Sequence, residues 1–114
     1  MHELSICQAL IGQVEDLARE NKATAVRTIS LQVGPLSGAE IPLLVHAYPL
    51  AAAGTVAESA ELLIESMPVR VKCRTCGVES EASANRLLCG ECGDYHTELI
   101  SGDEMVLTRL EFDT

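Results

Sequence analysis

From Leu4 to about Lys22 apolar residues recur at three- and four-residue steps. Leu4, Cys7, Ile11, Val14, Leu17 and Ala18 fall on one stripe, with Gln13, Glu15, Asp16, Arg19 and Glu20 mostly opposite. That period predicts an amphipathic helix, and Asn21-Lys22 offers its stop. Between Thr28 and Val33 the period drops to two. Ile29, Leu31 and Val33 alternate with Thr28, Ser30 and Gln32, which predicts a half-buried strand ended by Gly34-Pro35. Ser37-Gly38-Ala39-Glu40 then leads into a second, more apolar helix over roughly Glu40 to Ala53. Pro42 suits its first turn, whereas Pro49 removes a backbone bond and is expected to kink or shorten it. Leu62-Leu63-Ile64, and then Val69, Val71 and Cys73, read as strand segments interrupted by Pro68. Lys72 to about Asp103 changes texture to cysteines, glycines and short polar segments. Alternation returns from Met105 to Phe112, with Val106, Leu110 and Phe112 on one face and Arg109 and Glu111 on the other.

Composition narrows the function classes. The chain has 114 residues, 47% of them hydrophobic, but only three aromatic residues and no Trp. Its core is therefore aliphatic and modest, a size at which a metal staple helps. Seventeen Asp and Glu against eight Lys and Arg give a formal net charge of −9. Such a field repels phosphate backbones, and there is no aromatic platform for stacking bases, so nucleic-acid binding is disfavoured. No apolar run approaches ~18 residues, so no membrane span is expected. Met1-His2-Glu3-Leu4 lacks the basic and apolar regions of a secretory signal. With an odd cysteine count, this points to the reducing cytoplasm.

Four of the five cysteines form two copies of one device, Cys73-Arg-Thr-Cys76-Gly77 and Cys89-Gly-Glu-Cys92-Gly93. A two-residue spacer lets both thiolates of a pair reach one ion about 2.3 Å away. The glycine after each pair suits a tight turn whose N–H groups point at the sulfurs. Tetrahedral Zn(II) on Cys73, Cys76, Cys89 and Cys92 is the expected occupant, and a closed four-thiolate shell leaves no position for substrate. Rubredoxin-type iron shares the geometry, and two redox dithiols are the competing reading. Cys7 reads as a small hydrophobe on the first helix.

His2 gains meaning from its position. Methionine aminopeptidase spares Met before bulky residues, so the chain is expected to begin with an α-amine, one amide and an imidazole. Met1 nitrogen, the His2 amide and the His2 ring can close two chelate rings, with the Glu3 amide as a fourth nitrogen. Deprotonated amides favour square-planar Ni(II) or Cu(II) over tetrahedral Zn(II). His46 reads as a partly buried, hydrogen-bonded side chain of the apolar helix, and His96 as a solvated loop residue beside the cysteines.

The sequence resembles a known family. Met1-His2-Glu3-Leu4-Ser5, the turn Val33-Gly34-Pro35-Leu36-Ser37-Gly38, the Gly54-Thr55 step, the duplicated C-x-x-C pairs and Gly102-Asp103-Glu104-Met105 occur in the order found in the hydrogenase nickel-incorporation proteins, HypA or HybF. The likeness covers essentially the whole chain. It implies nickel at His2, with Met1 and Glu3 giving backbone nitrogens, and structural zinc on the four cysteines. One departure is that Leu44 to Tyr48, followed by Pro49, stands where relatives usually carry several phenylalanines.

The expected fold is therefore α+β. Two helices lie on a small, mainly antiparallel sheet, with an inserted zinc-ribbon, rubredoxin-like module. The expected division is residues 1–69 plus 105–114 as a nickel-binding domain and 70–104 as the zinc-binding module. No nucleophile–base pair or phosphate-cradling loop points to an enzyme. The resemblance implies a cytoplasmic nickel metallochaperone serving a hydrogenase large-subunit precursor alongside a nickel-handling GTPase. A homodimer is compatible with the sequence. The alternative is a zinc-ribbon adaptor that binds only protein.

Overall fold

The computed structural model describes residues 2–113. Helix α1 spans His2–Glu20 and buries Cys7, Leu10, Ile11, Val14 and Ala18. It ends where expected, with Lys22 in the left-handed region at φ 55. The Ala23 N–H donates to the Ala18 carbonyl and the Lys22 N–H to that of Arg19, the crossed pair that closes a helix on a left-handed residue. Strand β1 (Ala25–Val33), helix α2 (Ile41–Ala52) and strand β2 (Glu61–Ser66) follow. Pro49 sits in the last turn of α2, which runs on for three further residues, so the missing N–H does not end the helix there.

β2 pairs parallel to β1, from Thr28 opposite Glu61 to Val33 opposite Ser66. A parallel neighbour needs a crossover, and α2 supplies it. On the other side of β1 lies the last strand of the chain, running antiparallel to it. The first sheet is therefore mixed. Helices α1 and α2 cover one face, sealing Ile29, Leu31 and Val33 against Val14 and Leu44. In the core the Cys7 thiol donates to the Leu44 carbonyl, and the Tyr48 hydroxyl to that of Ala57.

A second sheet comprises β3 (Val69–Cys73), β4 (Glu79–Ala82) and β5 (Thr97–Ser101), in the order β4-β3-β5 and antiparallel throughout. The chain then returns through Gly102-Asp103-Glu104 to β6 (Met105–Asp113), which completes the first sheet as β2-β1-β6. The molecule is long, 53 × 28 × 17 Å, with a radius of gyration of 17.3 Å. A compact chain of this length would have about 13 Å.

Where the two sheets meet, backbones nearly touch. A Cβ on Gly34 would lie 2.1 Å from the Gly102 carbonyl oxygen, and one on Gly102 would lie 2.9 Å from Val69 Cα. Gly102 also holds φ +116. The Gly34 N–H donates to the Glu104 carbonyl at 2.8 Å and the Leu36 N–H to that of Gly102 at 2.7 Å.

Two expectations change. Val106 faces solvent, and Met105, Leu107, Leu110 and Phe112 pack on the core instead. The β1–β6 register shifts between Ser30 and Leu31, so Thr108 bulges out and the strand changes phase. His46 is exposed rather than partly buried, because α2 turns Leu44, Tyr48 and Ala52 inward and leaves position 46 on the outer face.

Candidate metal centre and amino-terminal site

Each cysteine pair sits in a turn of the same construction. Cys73 closes β3. Its N–H donates to the Val78 carbonyl, and its own carbonyl accepts from Gly77. Cys89 repeats this with Asp94 and Gly93. Both glycines occupy the left-handed region, at φ 78 and 74, as the tight return of the chain demands. The Cys76 N–H points at Cys73 Sγ, and those of Glu91 and Cys92 at Cys89 Sγ, each at 3.4 Å. β4 and the turn after it carry the chain back so that the two turns face each other, and the Gly90 N–H is anchored on Ser80 Oγ at 2.9 Å.

The four sulfurs converge, all within 4.8 Å of one another. Cys73 Sγ lies 3.6 Å from Cys92 Sγ, and Cys76 Sγ lies 3.6 Å from Cys89 Sγ. A tetrahedron of thiolates on a metal with ~2.3 Å bonds has an edge of about 3.8 Å, so the donor set fits one zinc-sized ion. The separations are far beyond a disulfide bond, and all four cysteines are free. Cys73 and Cys89 are buried while Cys76 and Cys92 are exposed. Among the described residues no other group of three or more His, Cys, Asp or Glu side chains comes together in this way.

The electrostatics of the four thiols also favour a cation. The N–H groups of Cys92 and Glu91 draw the Cys89 thiol down to about 6, and the Cys76 N–H lowers Cys73. Cys92 receives an N–H from Asp94, yet its hydrogen bonds to the neighbouring thiols, Cys73 first, push it up to about 12. Four negative charges cannot share this space unaided. A divalent ion removes the conflict.

Asp94, which sequence reasoning passed over, ties the turns together. Its carboxylate accepts from the Thr75 hydroxyl at 2.6 Å and from the His96 N–H at 3.0 Å, and pairs with His96 Nδ1 at 2.7 Å. These contacts, Thr75 foremost, hold it well below the usual carboxylate range. The Asp-x-His spacing, which suits a side chain bonding the N–H two residues on, was the available signal. His96 is thus anchored through Nδ1, with its ring exposed beside Tyr95.

At the other end, His2 opens α1 with its side chain 65% exposed. Met1, expected to supply the terminal amine, lies outside the described residues. The N–H groups of His2 and Glu3 belong to the first helical turn and have no carbonyl partner within the helix. The His2 ring rests against the turn before α2, where a Cβ on Gly38 would stand 3.9 Å from Cε1. Glu3 is mostly covered. Its carboxylate accepts from the Glu40 N–H at 3.4 Å, which joins the starts of α1 and α2. Its own N–H foremost lowers its pKa, burial opposes this, and the Glu40 N–H and the nearby His2 lower it further. His2 Nδ1 is 3.8 Å from Glu3 Oε2, beyond hydrogen-bond reach.

Comparison with known proteins places these features in one group. The family model described as hydrogenase/urease nickel incorporation, metallochaperone, hypA matches residues 1–112. The hydrogenase maturation factor HypA of Nitrosospira multiformis is 50% identical over 114 residues, covering 100% of this chain and 99% of that protein. Its counterpart in Aquifex aeolicus is 45% identical over 113 residues, 99% and 98% of the two chains. The solution structure of the Ni metallochaperone HypA from Helicobacter pylori superposes with a TM-score of 0.70 at 25% identity, covering 97% of both chains. With the cysteine cluster and exposed His2 inside the matched span, this chain belongs to the HypA family of nickel-incorporation metallochaperones.

Proposed function

We propose that this chain carries Ni(II) at its amino terminus and delivers it to the precursor of a [NiFe]-hydrogenase large subunit, working beside a nickel-handling GTPase in the cytoplasm. Nickel is cargo, held by the His2 imidazole with backbone nitrogens of Met1, His2 and Glu3. Zinc is resident, on Cys73, Cys76, Cys89 and Cys92. There it supplies no reaction chemistry and orders the surrounding turns. The chain divides into a nickel-binding domain, 1–69 plus 105–114, and a zinc-binding module, 70–104, and it is not an enzyme. The observation that carries this reading is His2, exposed as the first residue of α1 in a chain whose family match begins at residue 1. A terminal, surface site suits a donor because its ligands exchange easily.

Metal analysis after nickel loading tests the reading. One zinc and one nickel per chain are expected, with His2→Ala losing the nickel and keeping the zinc. Zinc without nickel in the unaltered chain would instead mark a protein-binding adaptor.

A further inference from the structure

Helix α2 holds no charged side chain over its twelve residues, yet one side of it faces solvent. On that side Leu43 is 46% exposed and Leu50 73%. A helix that is apolar on every side is normally buried on every side. Leu43, His46, Ala47 and Leu50 stand at the spacing i, i+3, i+4, i+7, and with Leu4 and Glu3 they line a groove of about 220 Å³. Those four positions share one face of α2, a ridge and groove against which a second helix packs. The surroundings are acidic. Residues 28–69 contain Glu40, Glu58, Glu61 and Glu65 but no Lys or Arg, and residues 1–18 add Glu3, Glu15 and Asp16. Of the three cations in the first 69 residues, Arg19 and Arg27 are paired with Asp16 and Asp113, and Lys22 lies just past the far end of α1 from Glu3. Carboxylates therefore stand at both ends of the stripe, with Glu3 and Glu40 near the start of α2 and Glu58 bonded to Gly54 just past its end.

We infer that the outer face of α2 docks an amphipathic helix of a partner protein whose Leu-like stripe is flanked by Lys and Arg. Charge selects this occupant. A second copy of this chain, at −9, would bring acid against acid, and an anionic lipid surface would be repelled likewise. The consequence rests on the nickel reading above. Because Glu3 lines the groove, a docked helix sits beside His2 and holds its own protein where the cargo is released.

The test uses the full, zinc-loaded chain, labelled with nitrogen-15, and a designed Leu/Lys amphipathic peptide of about 18 residues, roughly five turns. Amide shifts should concentrate at Leu4, Leu43, His46, Ala47 and Leu50. Leu43→Ser and Leu50→Ser should each weaken binding about tenfold, and a Leu/Glu peptide of the same pattern should not bind. Both positions are exposed, so zinc content and melting should stay unchanged. Shifts spread over acidic surface away from α2, or full binding by both Ser variants, would overturn the inference. So would the same residues shifting with protein concentration alone, which would make a second copy the occupant. Nickel titration of the variants is read separately. Leu50→Ser should bind the peptide about tenfold more weakly and keep nickel, and His2→Ala should keep the peptide and lose nickel, so either reading can fail without the other.

Discussion

Replacing Gly34 with Ala tests the meeting point of the two sheets. The new methyl would sit 2.1 Å from the Gly102 carbonyl oxygen, 2.3 Å from its carbon and 2.8 Å from its Cα, all backbone. No side chain can swing aside, so one backbone must retreat by more than 1 Å to reach ordinary contact. That retreat stretches two hydrogen bonds, Gly34 N–H to Glu104 and Leu36 N–H to Gly102. Each is worth about 1 kcal/mol, and overpacking adds about 1–3 kcal/mol. The expected loss is ~3–5 kcal/mol, a fall of about 12–20 °C in melting temperature at this size. Urea unfolding followed by far-ultraviolet circular dichroism, at fixed free zinc, measures it. Gly12→Ala is the internal control. It lies within α1 with nothing within 4 Å of its added Cβ, so it should gain about 0.5–1 kcal/mol from helix propensity. A Gly34→Ala protein within ~1 kcal/mol of the original would refute the close approach described above.

The terminal amine can be tested by placing four alanines ahead of Met1, which carries the amine well away from the His2 ring. This should abolish most nickel affinity while one zinc remains, and equal affinity would reduce His2 to an ordinary imidazole ligand. Nickel uptake should weaken as pH falls, because the amine, the imidazole and each amide used must first lose a proton; isothermal titration at two pH values reads this. Cys7 is 1% exposed and its thiol is raised by burial, so a thiol reagent should find four fast sites after zinc removal and a fifth only in denaturant. Lys22→Gly should stabilise the protein by about 0.5–1 kcal/mol in thermal melts, since φ 55 strains a lysine and not a glycine. Tyr48→Phe should cost about 1–2 kcal/mol by leaving the Ala57 carbonyl unpaired in the core, measured by urea midpoint.

What could be read from the chain alone was what local spacing encodes. The stripe through Cys7, Ile11, Val14 and Ala18 has one face to bury and no alternative period, so α1 was legible to within two residues. The C-x-x-C-G repeats announced both turns, because only a left-handed glycine lets the chain fold back behind each pair. The mixed sheet was harder. β1 is equally content with a parallel or an antiparallel neighbour, and its alternation does not say which. The bulge at Thr108 swaps the faces of β6 without any glycine or proline to mark it. His46 was misjudged because an uncharged helix offers no polar side by which to assign its faces. Asp94 acts across the chain on Thr75, nineteen residues away, a link that no periodicity records.

The order of strands has a kinetic consequence. β1 finds one of its two partners in β6, and between β2 and β6 roughly forty residues leave for the second sheet and come back. While that excursion is slack, closing it costs about 3 kcal/mol in chain entropy for its length alone. Once an ion has drawn the cysteine turns together, β3 and β5 run side by side, and the residues leaving β2 and entering β6 are delivered as neighbours. With zinc as the ion proposed above, its supply would then govern how fast the distant first sheet is finished, although no cysteine ligand belongs to it. A chain made under zinc starvation would emerge with its last strand unzipped, presenting the open edge of β1 to whatever strand is nearby.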